Sequence, residues 1–289
     1  MRMHTLSNYL KTAVLLAGMT ALTLWVGRAG GGPRGLALAA VFAVGMNFFS
    51  YWFSDKLALA MHGAQELPFD TAPWLHEGLR RLSERAGIPV PRLYFIPTHA
   101  PNAFATGRNP EHAAVAVTAG LLESLSQREV MAVLAHELAH VANRDTLIST
   151  VAASLAGVIS YVAQSIFWFG GAFLGGGRDR DDEGASGLAQ LGVLLVAPLA
   201  ATLLQLAVSR SREYEADATG ARLLGDPDAL ADALDRIDRG VHLHPYDRSP
   251  ATSHLFIANP LSGGAILALF STHPPMEERI RRLREMPRG

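Results

Sequence analysis

His136 and His140 stand four positions apart in the pentapeptide HELAH, with Glu137 beside the first of them. On an α-helix, residues four apart differ by about 40° in direction and about 6 Å in height, so both imidazoles can reach one ion. Glu137 points about 100° away from His136, beside such an ion rather than on it. A carboxylate there can take a proton from an attacking water, and a zinc ion supplies the acidity that makes water reactive near neutral pH. The bland alternative is a pair of surface histidines. The surrounding run VMAVLAHELAHVA is apolar on every side, which implies burial. Two buried imidazoles and a buried carboxylate without an ion would be costly. The chain has no cysteine, so the ligands must be His, Asp or Glu.

A catalytic zinc takes three protein ligands and keeps one position open. Candidates for the third are Glu213, Glu215 and Asp217 in SREYEAD. Glu213 and Asp217 share a helix face, and Glu215 points away from it. One of the pair can bind the ion while the other holds a ligand histidine through its second ring nitrogen. Taken alone, SREYEAD reads equally well as a charged helix end after an apolar stretch. Its pairing with HELAH favours the metal.

These side chains need helices to carry them. Ser126 followed by Glu129 makes a capping box, which starts a helix through VMAVLAHELAHVANRD that leads towards an apolar stretch. SREYEADATGARLL is expected as a helix ending at Gly225, and DPDALADALDRIDRG as another ending at Gly240. A last helix starts near Pro274, with Met276, Ile280 and Leu283 on one face. Upstream, PWLHEGLRRLSERAGI is amphipathic through Trp74, Leu75, Leu79, Leu82 and Ala86, and follows a linker through Pro68. RLYFIP and HAAVAVT read as strands, with PNAFATG a loop and short strand between them. The expected fold is mainly α with a small β-sheet.

Hydrophobic residues make up 49% of the 289, high enough that membrane spans must be sought. A net charge of −1 gives no support for a nucleic-acid partner. Four apolar stretches approach the roughly 20 residues a helix needs to cross a bilayer. They run from about Tyr9 to Val26, Leu36 to Phe53, Leu147 to Phe173 and Leu188 to Val208. Lys11 and Pro198 weaken the first and last slightly. GRAGGGPRG turns the chain between the first two, and GGGRDRDDEGASG is a polar loop between the last two. The first stretch lacks the cleavage site of a signal peptide. A buried hairpin in a soluble core is the alternative for the last two. The expected organisation is a membrane hairpin at 1–54, a catalytic part at 55–146, a second hairpin at 147–208 and a second catalytic part at 209–289. Basic residues flanking the spans favour a cytoplasmic catalytic side by a small margin.

HELAH, then SREYEAD after apolar stretches, then STHPPMEERI near the end form an ordered trio that resembles the HtpX heat-shock peptidases. These are bacterial relatives of the zinc CAAX prenyl proteases. The likeness covers nearly the whole chain. It implies a gluzincin-like metallopeptidase with four transmembrane helices in the bacterial inner membrane and one Zn2+ per chain. It implies His136, His140 and Glu213 as ligands, Glu137 as base and Asp217 behind a ligand. By the same likeness Asn102 and His273 stabilise the oxyanion, a role an amide or imidazole donor fits, and Arg279 braces the site. Misfolded or damaged membrane proteins, or peptides from them, are the substrates it implies. A peptide would add as a strand beside HAAVAVT or NAFAT. The alternatives are a non-catalytic zinc-binding membrane scaffold and a specialised peptidase for lipidated peptides.

Overall fold

The computed structural model describes residues 2–153, 155, 210–243, 257 and 274–288. His273, most of the third expected span and all of the fourth lie outside the described residues.

The chain begins with α1 (Arg2–Trp52), a helical element broken at Gly32, whose φ of 57° and ψ of −141° are non-helical. Glycine takes this conformation without a Cβ clash, so the Gly-rich segment read as a turn is where the helix reverses. The two arms meet: Asn47 Nδ2 donates to Thr20 Oγ1 at 2.8 Å. Among the described residues one helix, Gly32–Trp52, is long and apolar enough to cross a membrane, with mean hydropathy 1.5. Large apolar side chains along α1 stand exposed, among them Leu10, Val14, Trp25, Leu38, Val41 and Phe49.

After α2 (Ser54–Met61) comes a short strand β1 (Gln65–Glu66), within the segment read as linker. Helix α3 (Pro73–Ala86) buries Leu75, Leu79 and Leu82, the stripe expected from its spacing. Strands β2 (Arg92–Ile96), β3 (Ala103–Thr106) and β4 (Ala114–Thr118) complete a sheet of order β1-β2-β4-β3. β2 and β4 are parallel, while β3 and β4 are antiparallel. All of β4 is buried, because it is paired on both sides and covered on both faces. That explains its weak alternation. It also removes HAAVAVT as a docking edge and leaves β3 for that purpose.

One face of the sheet packs on α3, on α5 (Gln127–Asn143) and on α8 (Pro227–Leu243) through Leu79, Val115, Val117, Leu134, Leu138 and Leu234. The other face packs Phe104, Ala114 and Ala116 on α2 and on α6, the helix at 146–153. Short α4 (Ala119–Ser124) leads into α5, and α7 (Arg210–Leu224) and α9 (Met276–Arg284) close the domain. Leu15 and Met19 of α1 pack on Leu147, Ile148 and Val151 of α6.

Two boundaries differ from the sequence reading. α5 does not run on into the next helix. It stops at Asn143, and Arg144 takes a left-handed φ of 60°. The amide of Asp145 then donates to His140 O at 3.0 Å and that of Arg144 to Val141 O at 3.1 Å, a Schellman closure. α8 in turn continues past Gly240 to Leu243. A Cβ on Gly240 would lie 2.5 Å from Pro101 Cγ, so this glycine serves a close helix contact rather than a helix end.

The capping box at the start of α5 is formed in both directions, and Arg236 of α8 pairs with Glu129 at 2.9 Å. Ser126→Ala should cost about 1 kcal/mol of stability, read as a lowered midpoint in denaturant unfolding at unchanged slope.

Candidate metal centre

α5 is buried on nearly every side over its last three turns, including His136 and Glu137. Facing it is α7. A Cβ placed on Gly220 would fall 2.8 Å from both N and Cα of His136, so the two helices touch backbone to backbone at that turn. Only a residue without a side chain permits this approach. It brings Glu213 and Asp217, two turns and one turn earlier on α7, over the imidazoles.

The result is a three-residue cluster of His136, His140 and Glu213. His136 Nε2 and His140 Nε2 are 3.2 Å apart. Glu213 Oε1 lies 3.5 Å from His140 Nε2, and Oε2 lies 3.9 Å from His136 Nε2. Ligands held about 2.0–2.2 Å from a tetrahedral ion sit about 3.3–3.6 Å from one another, and these side chains approach that spacing, with the Glu213 to His136 distance the longest.

The tautomers point the same way. Asp145 Oδ2 is 3.2 Å from His140 Nδ1. Asp217 Oδ1 is 3.0 Å from His136 Nδ1, within ion-pair reach though bent from a linear hydrogen bond. Carboxylates only accept, so in each neutral ring Nδ1 carries the hydrogen and Nε2 the lone pair. Two lone pairs 3.2 Å apart repel unless a metal ion or a proton lies between them. The charges agree. Glu137, Glu213, Asp217 and Asp145 are four buried carboxylates set against buried Arg279 and Arg212. With all four ionised and both imidazoles neutral the surplus is two negative charges, which a divalent ion would balance and which bound protons otherwise offset.

Arg279 from α9 is fully buried and grips Asp217 with two bonds, Nε to Oδ2 at 2.8 Å and Nη2 to Oδ1 at 2.7 Å. Burial would raise the Asp217 carboxyl, but Arg279 outweighs it and holds the group at about 2. Asp217 is therefore ionised behind His136. Burial lowers the His136 imidazole. Burial also opposes charge on His140, but Glu213 and Asp145 outweigh it and push the ring up to about 9. Burial drives Glu137 up to about 8. Both groups hold protons more tightly than usual, as expected of a dry site with surplus negative charge.

Glu137 rests against the sheet edge: the Ala105 amide donates to its Oε2 at 2.8 Å. Thr118 N donates to Asn102 O, which fixes the ladder alternation between β3 and β4. The amides of Phe104 and Thr106 thus face β4, and those of Ala103 and Ala105 face outward.

Asn102, read from the sequence as an oxyanion donor, is buried at the start of β3. Its Oδ1 accepts from the amides of Ala103 at 3.0 Å and Ile257 at 2.9 Å. Arg279 Nη1 donates to Ile257 O at 2.9 Å, so this residue is clamped on both sides. Glu215, half-buried, is not part of the cluster. Sequence reasoning missed three contributors: Gly220, Asp145 and the Ala105 amide. Asp145, just past the HELAH helix, was the one with a visible signal.

Gly220→Ala should force α5 and α7 apart and weaken metal retention, read as faster loss of metal to a chelator. Arg279→Met leaves Asp217 buried without its partner. It should cost about 3–5 kcal/mol of stability, checked by thermal unfolding.

The model of Peptidase family M48 matches residues 70–287. Two relatives named Protease HtpX homolog are similar from end to end. That of Burkholderia lata is 52% identical over 284 residues, covering 97% of this chain and 98% of its own. That of Paraburkholderia phytofirmans is 53% identical over the same shares. Ste24p of S. mikatae, a solved structure, superposes with a TM-score of 0.52 at 19% identity, covering 98% of this chain and 67% of that one. At that identity the likeness is one of fold. With the HtpX resemblance now carried by relatives of half identity across nearly its full length, the chain belongs to peptidase family M48 and is a metalloprotease.

Proposed function

We propose that the chain is a zinc-dependent endopeptidase embedded in the bacterial inner membrane, cleaving misfolded or damaged membrane proteins. The observation that carries the catalytic part is the spacing of the His136, His140 and Glu213 ligand atoms, with Glu137 buried next to them. The donor set of two imidazoles and a carboxylate suits one zinc ion with an open position. When bound, zinc supplies Lewis acidity, bringing the pKa of water towards about 7 and polarising a carbonyl.

The chain's own residues do the rest. A peptide adds to the outer edge of β3, where the Ala103 and Ala105 amides point. Its carbonyl competes with Glu137 for the Ala105 amide, and its arrival frees the carboxylate. Glu137 takes a proton from the attacking water and passes it to the leaving amine. Asn102 is the proposed oxyanion donor through Nδ2, its orientation set by the two amides pinned to Oδ1. His273 is assigned the same task.

The membrane reading is supported by the apolar Gly32–Trp52 helix and by the exposed apolar side chains along α1, a surface that water does not favour. The proposed arrangement is multi-pass with the catalytic side in the cytoplasm, as the flanking basic residues suggest. Tyr9 of α1 accepts from Arg144 just past α5 at 3.1 Å, so the ligand helix ends beside the first span. That closeness favours substrates in or next to the bilayer. A non-catalytic scaffold would have no use for a buried glutamate beside an open metal position.

Glu137→Gln keeps every ligand and the side-chain shape but removes the base. The variant should retain one zinc per chain by metal analysis and cleave a model membrane protein at least about 10²-fold more slowly. Cleavage at the unaltered rate would rule the mechanism out, and absence of zinc from the unaltered protein would rule out the metal assignment.

A further inference from the structure

One buried polar chain is left unused by this mechanism. Asn8, on the first arm of α1, is 5% exposed. Its Nδ2 donates to Asp145 Oδ1 at 2.7 Å and reaches Arg144 O at 3.5 Å. The other oxygen of the same carboxylate faces His140 Nδ1 at 3.2 Å. A continuous path thus runs from the membrane-side helix through Asp145 to a ligand imidazole.

Its neighbours show how Asn8 is placed. Asn8, Thr12, Leu15 and Met19 are all buried and follow the helical spacing of a single face. Leu15 and Met19 lie against Leu147, Ile148 and Val151 of α6. Asn8 is thus a polar side chain at the end of an otherwise largely apolar seam. A buried amide on such a seam is costly unless bonded, so it selects the one register in which its partner is in reach. The partner is brought there by the left-handed Arg144, which folds Asp145 back over the last turn of α5.

We propose that Asn8 is a positioning residue of the metal centre. Its amide fixes the plane of the Asp145 carboxylate, which orients His140, so the seating of α1 sets how firmly the ion is held. A carboxylate behind a metal-bound histidine fixes its tautomer and ring direction. Asn8 holds that carboxylate through the oxygen that the ring does not use. The inference rests on the zinc reading above.

The test uses the full-length protein in detergent, loaded with zinc, and follows the rate of zinc loss to an excess of chelator. Asn8→Leu keeps the number and branching of the side-chain heavy atoms and suits the apolar seam while deleting the amide. It should release zinc roughly 3- to 30-fold faster, a step below the effect of removing a direct partner of a ligand histidine. Tyr9→Phe removes the neighbouring contact between α1 and Arg144 without touching Asp145, and should release zinc at the unaltered rate. In an Asp145→Ala background, Asn8→Leu should add nothing, because the two act in series.

Zinc loss from Asn8→Leu at the unaltered rate would overturn the proposal. So would an equal acceleration by Asn8→Leu with Asp145 present or absent, since α1 would then act by seating alone. If Asn8→Leu does not accumulate as folded protein, Asn8→Ser replaces it. Its shorter hydroxyl bonds to its own helix and cannot span to Asp145, and the same acceleration is expected. An unaltered protein that takes up no zinc would overturn the metal assignment itself, a result distinct from zinc bound but indifferent to Asn8.

Discussion

The centre depends on two helices approaching closer than side chains normally allow. α5 supplies two imidazoles and the proposed base, and α7 supplies the third member of the cluster and the support for His136. Neither helix holds a complete site. The contact of Gly220 with the His136 backbone sets their separation, and that separation decides whether a carboxylate from one reaches imidazoles of the other. Ligand atoms must be placed to within a few tenths of an ångström. The interior around α5 is packed with Val130, Val133, Leu134 and Leu138, and such packing transmits any shift in helix spacing directly to the ligands.

Close approach creates an electrostatic difficulty that the surrounding residues answer. Glu137, Glu213, Asp217 and Asp145 are drawn into a region nearly closed to water. Carboxylates in such a place either take protons or find cations. Asp217 has Arg279, which is itself buried and also lies 3.8 Å from Glu213 Oε2. Arg212 is buried in the field of Asp145 and Glu213, and burial lowers its pKa. The histidines therefore differ in their support. His136 is backed by a carboxylate locked in a two-bond ion pair, and His140 by a carboxylate held by a neutral amide.

Much of this was legible in the sequence. HELAH spacing, the Ser126 and Glu129 cap and the Glu213 to Asp217 interval are local patterns, and local patterns survive folding. The helix at 73–86 follows from its apolar stripe, that at 127–143 from its capping box, and that at 210–224 from its stop at Gly225. What could not be read depends on partners distant in the chain. Gly220 looks like an ordinary weak point in a helix until α5 lies against it. Gly240 looks like a terminator until Pro101 is seen beneath it. The two residues of β1 carry no periodic signal, and their pairing with β2 is a tertiary event. Asn102 shows the reverse case. Its position was singled out, but the bonds that use its Oδ1 involve Ile257, far along the chain.

The edge of β3 shows how the fold handles a strand that is paired on one side only and is the proposed docking edge. An edge strand offers free amides and invites pairing with other chains. Here each outward amide meets a side chain: Ala103 meets Asn102 Oδ1, Ala105 meets Glu137 Oε2, and Gly107 meets Thr150 Oγ1 at 3.4 Å. The outward amides are therefore satisfied without a neighbouring strand, and a docking peptide would gain from them only the difference between its own bonds and those it displaces. That difference is small for each bond, so short unstructured segments with no further contacts bind poorly. A segment that also gains from apolar surface along α1 has a second source of affinity. On the proposed docking, an edge capped in this way favours chains held beside α1 over peptides free in solution, and it does so without reading their side chains.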